Sequence, residues 1–133
     1  MRARLTPRPL TSEELELLNW LVEHGLPEAK SFAPQIERIR ATRGCGCGCP
    51  SIALHVEDGV PLGTSSDTVI SDVVGMTTEG KSIGVILIQN DGKLTELEVY
   101  SPDTIEGSWG FPILDGLQKC EWVELSTLKS LKV

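Results

Sequence analysis

Aromatic residues are scarce in this sequence: three Trp, two Phe and one Tyr among 133 residues, beside only two His. With so little imidazole, a Ser-His-Asp triad would require His24 or His55 in one narrow position. No His-Glu-x-x-His pair, phosphate-binding glycine loop or nucleophile elbow is present, so the sequence signatures of zincins, nucleotide-binding enzymes and α/β-hydrolases are missing. Long apolar runs are lacking as well. The longest, Val85–Ile88, falls far short of the ~20 residues a membrane-spanning helix needs. Arginine is absent after Arg43, so residues 44–133 carry five Lys against 13 acidic residues, while residues 1–43 carry seven basic groups against six acidic ones. An acidic body repels polyanions, and no aromatic residues alternate with Arg38, Arg40 and Arg43 for base stacking; nucleic acid is not an expected partner. Where a signal peptide would be apolar, Arg2, Arg4 and Arg8 give way to Glu13, Glu14 and Glu16, and a cytoplasmic location is expected.

What is present reads as one α+β domain over 1–133, with an extended arm at 1–10. The length and 40% hydrophobic content suffice for one core. Thr11 and Glu14 form a capping-box pair, Leu10 and Leu15 a hydrophobic staple, and Leu15, Leu18, Leu21 and Val22 a stripe at helical spacing. The pattern predicts a helix over 12–24. Pro27 opens a short second helix to about Ala33, where Pro34 should stop it. The period then falls towards two. Strands are expected at 36–42, 51–56, 68–76, 83–88 and 94–100, with a tight reversal at Asn90-Asp91-Gly92. Phe32, Ile36 and Ile39 also fit helical spacing, so the first of these strands has a competing reading. The nearly unbroken apolar run Ile83–Ile88 implies a central strand covered on both faces. Residues 101–112 read as a loop carrying Trp109 and Phe111, 121–125 as a last strand, and 126–133 as a tail between edge strand and frayed helix. The expected architecture is thus an N-terminal helix and a short second helix packed on a curved antiparallel sheet of about 4–6 strands. On element order it resembles a cystatin-like or NTF2-like arrangement.

Arg43-Gly-Cys-Gly-Cys-Gly-Cys-Pro50 holds three of the four cysteines in alternation with glycine. Neighbouring cysteines on a flat strand lie about 6.6 Å apart, whereas thiolates sharing a zinc lie about 3.8 Å apart, so chelation requires the glycines to turn the chain. Cys45, Cys47 and Cys49 then need a fourth ligand. Cys120 is the first candidate, ahead of His55 and His24. Upstream arginines favour thiolate, which suits zinc or reversible oxidation alike. The plainer reading is a segment of small buried thiols with a glycine face.

Cys47-Gly48-Cys49-Pro50-Ser51-Ile52, followed by Leu94 and Leu97-Glu98-Val99-Tyr100, resembles a set of small bacterial proteins over about residues 11–103. The resemblance implies a bacterial cytoplasmic domain. Those proteins carry no assigned activity, and no residue role comes with them.

His55, alternating with Ile52 and Leu54, is expected on the solvent or pocket side of its strand, and His24 at a helix C-terminus. Asp72 lies in an apolar strand, and Glu96 with Glu98 forms an acidic pair about 7 Å apart on one face. The functional expectation is a non-enzymatic binding or interaction domain, for a protein or small molecule, without a cofactor and with structural cysteines. Zinc or thiol redox chemistry at Cys45, Cys47, Cys49 and Cys120 is the alternative. A homodimer is compatible with the long apolar strand.

Overall fold

A computed structural model describes residues 6–43, 50–78, 80, 82–101, 112 and 114–119. The chain runs β1 (Arg8–Pro9), α1 (Ser12–His24), a 3-10 helix (Pro27–Arg38), β2 (Ile39–Arg43), β3 (Ile52–Val56), β4 (Val69–Met76), β5 (Ser82–Asn90), β6 (Lys93–Tyr100), a 3-10 turn (Leu114–Gly116) and β7 (Gln118–Lys119). All strands join one open antiparallel sheet in the order β1-β2-β3-β6-β5-β4-β7. Five substantial strands form its body, and a two-residue strand guards each edge. The α+β expectation holds in this form.

The capping box starts α1 as its sequence dictates. Glu14 N donates to Thr11 Oγ1 at 3.1 Å, and Thr11 N donates to Glu14 Oε1 at 2.9 Å, satisfying two amides that the first turn leaves unpaired. Arg8 adds a fork of two 2.9 Å bonds to the same carboxylate and so ties β1 to the helix. At the other end His24 stacks on Trp20, with 4.1 Å between ring centroids.

The second helix departs from expectation. It continues through Pro34 to Arg38 as a 3-10 helix, so Ile36, Glu37 and Arg38 belong to it, and the strand begins only at Ile39. A proline blocks the α-helical ladder by removing a donor and crowding the preceding turn. Burial outweighs that local cost: Phe32, Gln35 and Ile36 are all within about one per cent of complete burial. Each apolar side chain so buried is worth roughly 1.5–3 kcal/mol.

Leu17, Leu18, Leu21 and Val22 from α1, with Phe32 and Ile36, pack on a sheet layer of Ile39, Ala41, Ile52, Leu54, Val73, Val85, Leu87, Leu97 and Val99. Strand register builds this layer, since residues directly opposite in an antiparallel ladder share a face: Leu87 faces Leu97, and Val85 faces both Val99 and Val73. A bulge at Ile70 lets Ile70 and Ser71 both turn inward. Strict alternation would have set Ile70 with Val74; the extra residue instead leaves Val69 and Val74 outside. β5 is central, lying between β4 and β6, but the described helices cover only one of its faces.

The β5–β6 reversal has a two-residue turn, Asp91 at φ 53° and Gly92 at φ 86°, the pair of positive values that a type I′ hairpin demands. Gln35 clamps it from beneath. Its Nε2 donates to the carbonyls of Gly92 at 2.6 Å and Pro61 at 3.1 Å, and its Oε1 accepts from Leu94 N at 3.0 Å. Three backbone groups that turns and loops leave without ladder partners are thus satisfied in the interior.

Candidate functional site

The helices cover one side of the sheet, and the other side presents a second layer with a different composition. Across the ladder, Val69 stands opposite Ile88, Asp72 opposite Ile86 and Val74 opposite Gly84. The same rows continue onto β6, where Glu96 meets Ile88, Glu98 meets Ile86 and Tyr100 meets Gly84. Beyond β6 lie Ala53 of β3, paired with Glu96, and then His55, paired with Arg40 of β2.

This outer face is graded from edge to edge. On β4 and β5 it is mainly apolar, interrupted by the half-buried Asp72: Val74 is 42% exposed and Met76 48%, Val69 is exposed on the same strand, and Ile86 and Ile88 are half-buried. On β6 it turns acidic, with Glu96 and Glu98 half-buried on neighbouring rows. On β2 and β3 it is polar and basic. Tyr100 lies over Gly84, where a Cβ would strike its ring, so the glycine makes the dip that holds the aromatic plane against the face. Scattered exposed apolar residues are ordinary, but a contiguous set on adjacent strands, rimmed by charge, is the composition of a contact surface.

The remaining sequence candidates fall elsewhere. His55 is exposed, and its Nε2 lies 2.9 Å from Thr42 Oγ1, a polar pairing on the outer face. His24 accounts for itself by stacking and by Nδ1 lying 2.9 Å from the carbonyl of Trp20. Asp72 sits half-buried on the outer face rather than in the core. Cys45, Cys47, Cys49 and Cys120 lie outside the described residues, as do Trp109, Phe111 and the strand expected at 121–125. Among the described residues no group of three or more His, Cys, Asp and Glu stands ready for a metal ion. Arg43 and Ile52, which flank the cysteine segment, are paired between β2 and β3, whereas Lys119 pairs with Val73 at the opposite side of the sheet.

A groove of about 280 Å3 runs between β1, α1 and the end of the 3-10 helix, floored by Leu10, Leu15, Ile36 and Ile39. At its mouth Arg38 is paired with Glu57 at 3.1 Å, both well exposed. Nearby, Glu14 is a site that spacing alone does not reveal. Burial pushes its carboxyl up, but the Arg8 fork, the Thr11 amide and the Thr11 hydroxyl outweigh that and hold it below the ordinary carboxylate value. The capping box was legible in sequence, whereas the incoming Arg8 was not, because it lies six positions before Glu14 and outside the helix.

No helix among the described residues is long and apolar enough to cross a membrane. Comparison with protein-family models, with curated proteins and with solved structures finds no match to this chain. The likeness to a cystatin-like or NTF2-like arrangement therefore stands on element order alone, and function has to be argued from the surface itself.

Proposed function

We propose that the protein is a non-enzymatic binding domain whose outer sheet face docks a basic, amphipathic protein segment. The observation that carries this reading is the grading of that face, with exposed Val69, Val74 and Met76 beside the acidic row Glu96 and Glu98. A partner with an apolar stripe would bury the β4–β5 half, and positive charge at one end of it would meet β6. Burial of apolar surface supplies the attraction, less the cost of association and ordering, and the carboxylates supply orientation and speed of encounter. The acidic balance of residues 44–133 works in the same direction by drawing in basic partners.

A synthetic peptide of leucine and lysine at helical spacing is a sufficient probe. Titrated into protein with labelled Ile, Leu and Val methyl groups, it should shift Val69, Val74, Ile86 and Ile88 and leave Leu17 and Leu18 unmoved. The same peptide with glutamate in place of lysine should bind at least about tenfold more weakly, since like charges across an interface are repelled. Shifts confined to the β1–α1 groove, or equal binding of both peptides, would overturn the assignment.

A further inference from the structure

The groove between β1, α1 and the end of the 3-10 helix is separate from the outer face and has a composition of its own. Its volume of about 280 Å3 falls just under the about 300–1,000 Å3 of sites for drug-sized ligands, a size for a smaller molecule.

The groove has fixed walls. On one side stands the arm, where Arg8 pairs with Ala41 and Pro9 with Arg40 in the β1–β2 ladder. Arg8 also grips Glu14 through two bonds of 2.9 Å, which holds the arm against the start of α1. The opposite wall is Ile36–Arg38, the part of the 3-10 helix that continues past Pro34. In the floor Ile36 is 1% and Ile39 5% exposed, whereas Leu10 and Leu15 are only half-buried. Those two leucines keep apolar surface that an occupant of the groove would cover.

The rim carries four charged residues, and two of them are committed to each other. Arg38 Nε donates to Glu57 Oε1 at 3.1 Å, and Glu57 N donates to the Arg38 carbonyl at 3.0 Å. Glu37 and Arg40 line the same groove, and their exposed side chains have no hydrogen bond or ion pair to another described residue. A simple anion at this rim would meet one opposite and one like charge, and so would a simple cation. A molecule bearing both charges meets two opposites, and the floor takes its apolar part.

We infer that this groove binds a small zwitterion with an apolar body, a free α-amino acid of the leucine class, its carboxylate on Arg40 and its ammonium on Glu37. Apolar contact with Leu10, Leu15, Ile36 and Ile39 supplies the attraction, and the two charges set orientation and selectivity. Because both charges are exposed, each contributes modestly, and selectivity comes from requiring the pair. The domain then has a small-molecule site in addition to the docking face, and neither depends on the other.

Free L-leucine is the probe, titrated into the full chain with labelled Ile, Leu and Val methyl groups. Saturable shifts are expected at Leu10, Leu15, Ile36 and Ile39, with Val74, Ile86 and Ile88 unmoved. Isocaproate, which lacks the ammonium, and isopentylamine, which lacks the carboxylate, should each bind about three- to tenfold more weakly. Arg40→Gln should weaken leucine by a similar factor without weakening isopentylamine. Glu37→Gln should weaken leucine without weakening isocaproate. Each variant is thus read against a ligand it should not lose, so a general disturbance of the groove shows itself as weakening of all three ligands. That result would overturn the inference. So would a leucine dissociation constant above about 10 mM, equal binding of the three probes, or methyl contacts that place residues 1–5 in the groove with leucine excluded.

Discussion

The two faces of one sheet obey opposite rules. On the covered face the rows read Val99–Val85–Val73 and Leu97–Leu87, almost wholly buried, with α1 and the 3-10 helix laid over them. On the outer face the neighbouring rows read Tyr100–Gly84–Val74 and Glu98–Ile86–Asp72, where aromatic, apolar and acidic residues follow one another across three strands. A face selected only for stability has no use for apolar side chains left beside carboxylates; a face that meets an amphipathic partner does. The same backbone serves both, because successive residues of a strand point to opposite sides.

Truncation on the covered face should give the largest effect. Leu97→Ala removes a fully buried side chain from the centre of the core and is expected to cost about 2–5 kcal/mol, read as a lower urea midpoint at unchanged slope. A loss under about 1 kcal/mol would mean that the two faces are packed alike, and the comparison would collapse.

Next in size is the clasp between arm and helix. Glu14 titrates below its ordinary value near 4.5, so its contribution to stability is present above that value and disappears as pH falls through the lower folded-state value. Arg8→Ala should therefore destabilise by about 1 kcal/mol at pH 7, and the difference from wild type should shrink as pH is lowered below the ordinary carboxylate value. Denaturant titrations at several pH values would show it. A constant difference at all pH values would mean that Arg8 acts by packing and not by charge.

Smallest is the effect on the outer face. Val74→Lys, opposite a glycine on β5 and 42% exposed, should change stability by no more than about 0.5 kcal/mol while weakening binding of the leucine–lysine peptide. A loss of 2 kcal/mol or more would show that this position is sealed as tightly as the core.

Much of this was legible in the residues. The capping box, the stripe on α1, the apolar strand β5 and the Asp91-Gly92 reversal are local: each depends on contacts or torsions within a few positions. The end of the 3-10 helix was misjudged because Pro34 is a local signal, while Phe32 and Ile36 are held by residues far along the chain. The facing of the β4 side chains could not be read locally, because a bulge leaves little mark in sequence, yet one extra residue changes which face the side chains on either side of it share. Glu96 and Glu98 were visible as a pair on one strand. Their placement next to Ile86 and Ile88, which makes them the rim of an apolar patch, depended on how β6 aligns with β5.

By itself, then, the sequence determined the element types, the caps and which side chains are apolar, since propensity, capping and periodicity act over one or two turns of chain. Tertiary structure alone decided which apolar residues were left outside, that Arg8 would reach Glu14, and that Gln35 would close the hairpin from beneath. Those outcomes join residues up to 59 positions apart. No local energy term connects such residues until strand register and helix packing have brought them together.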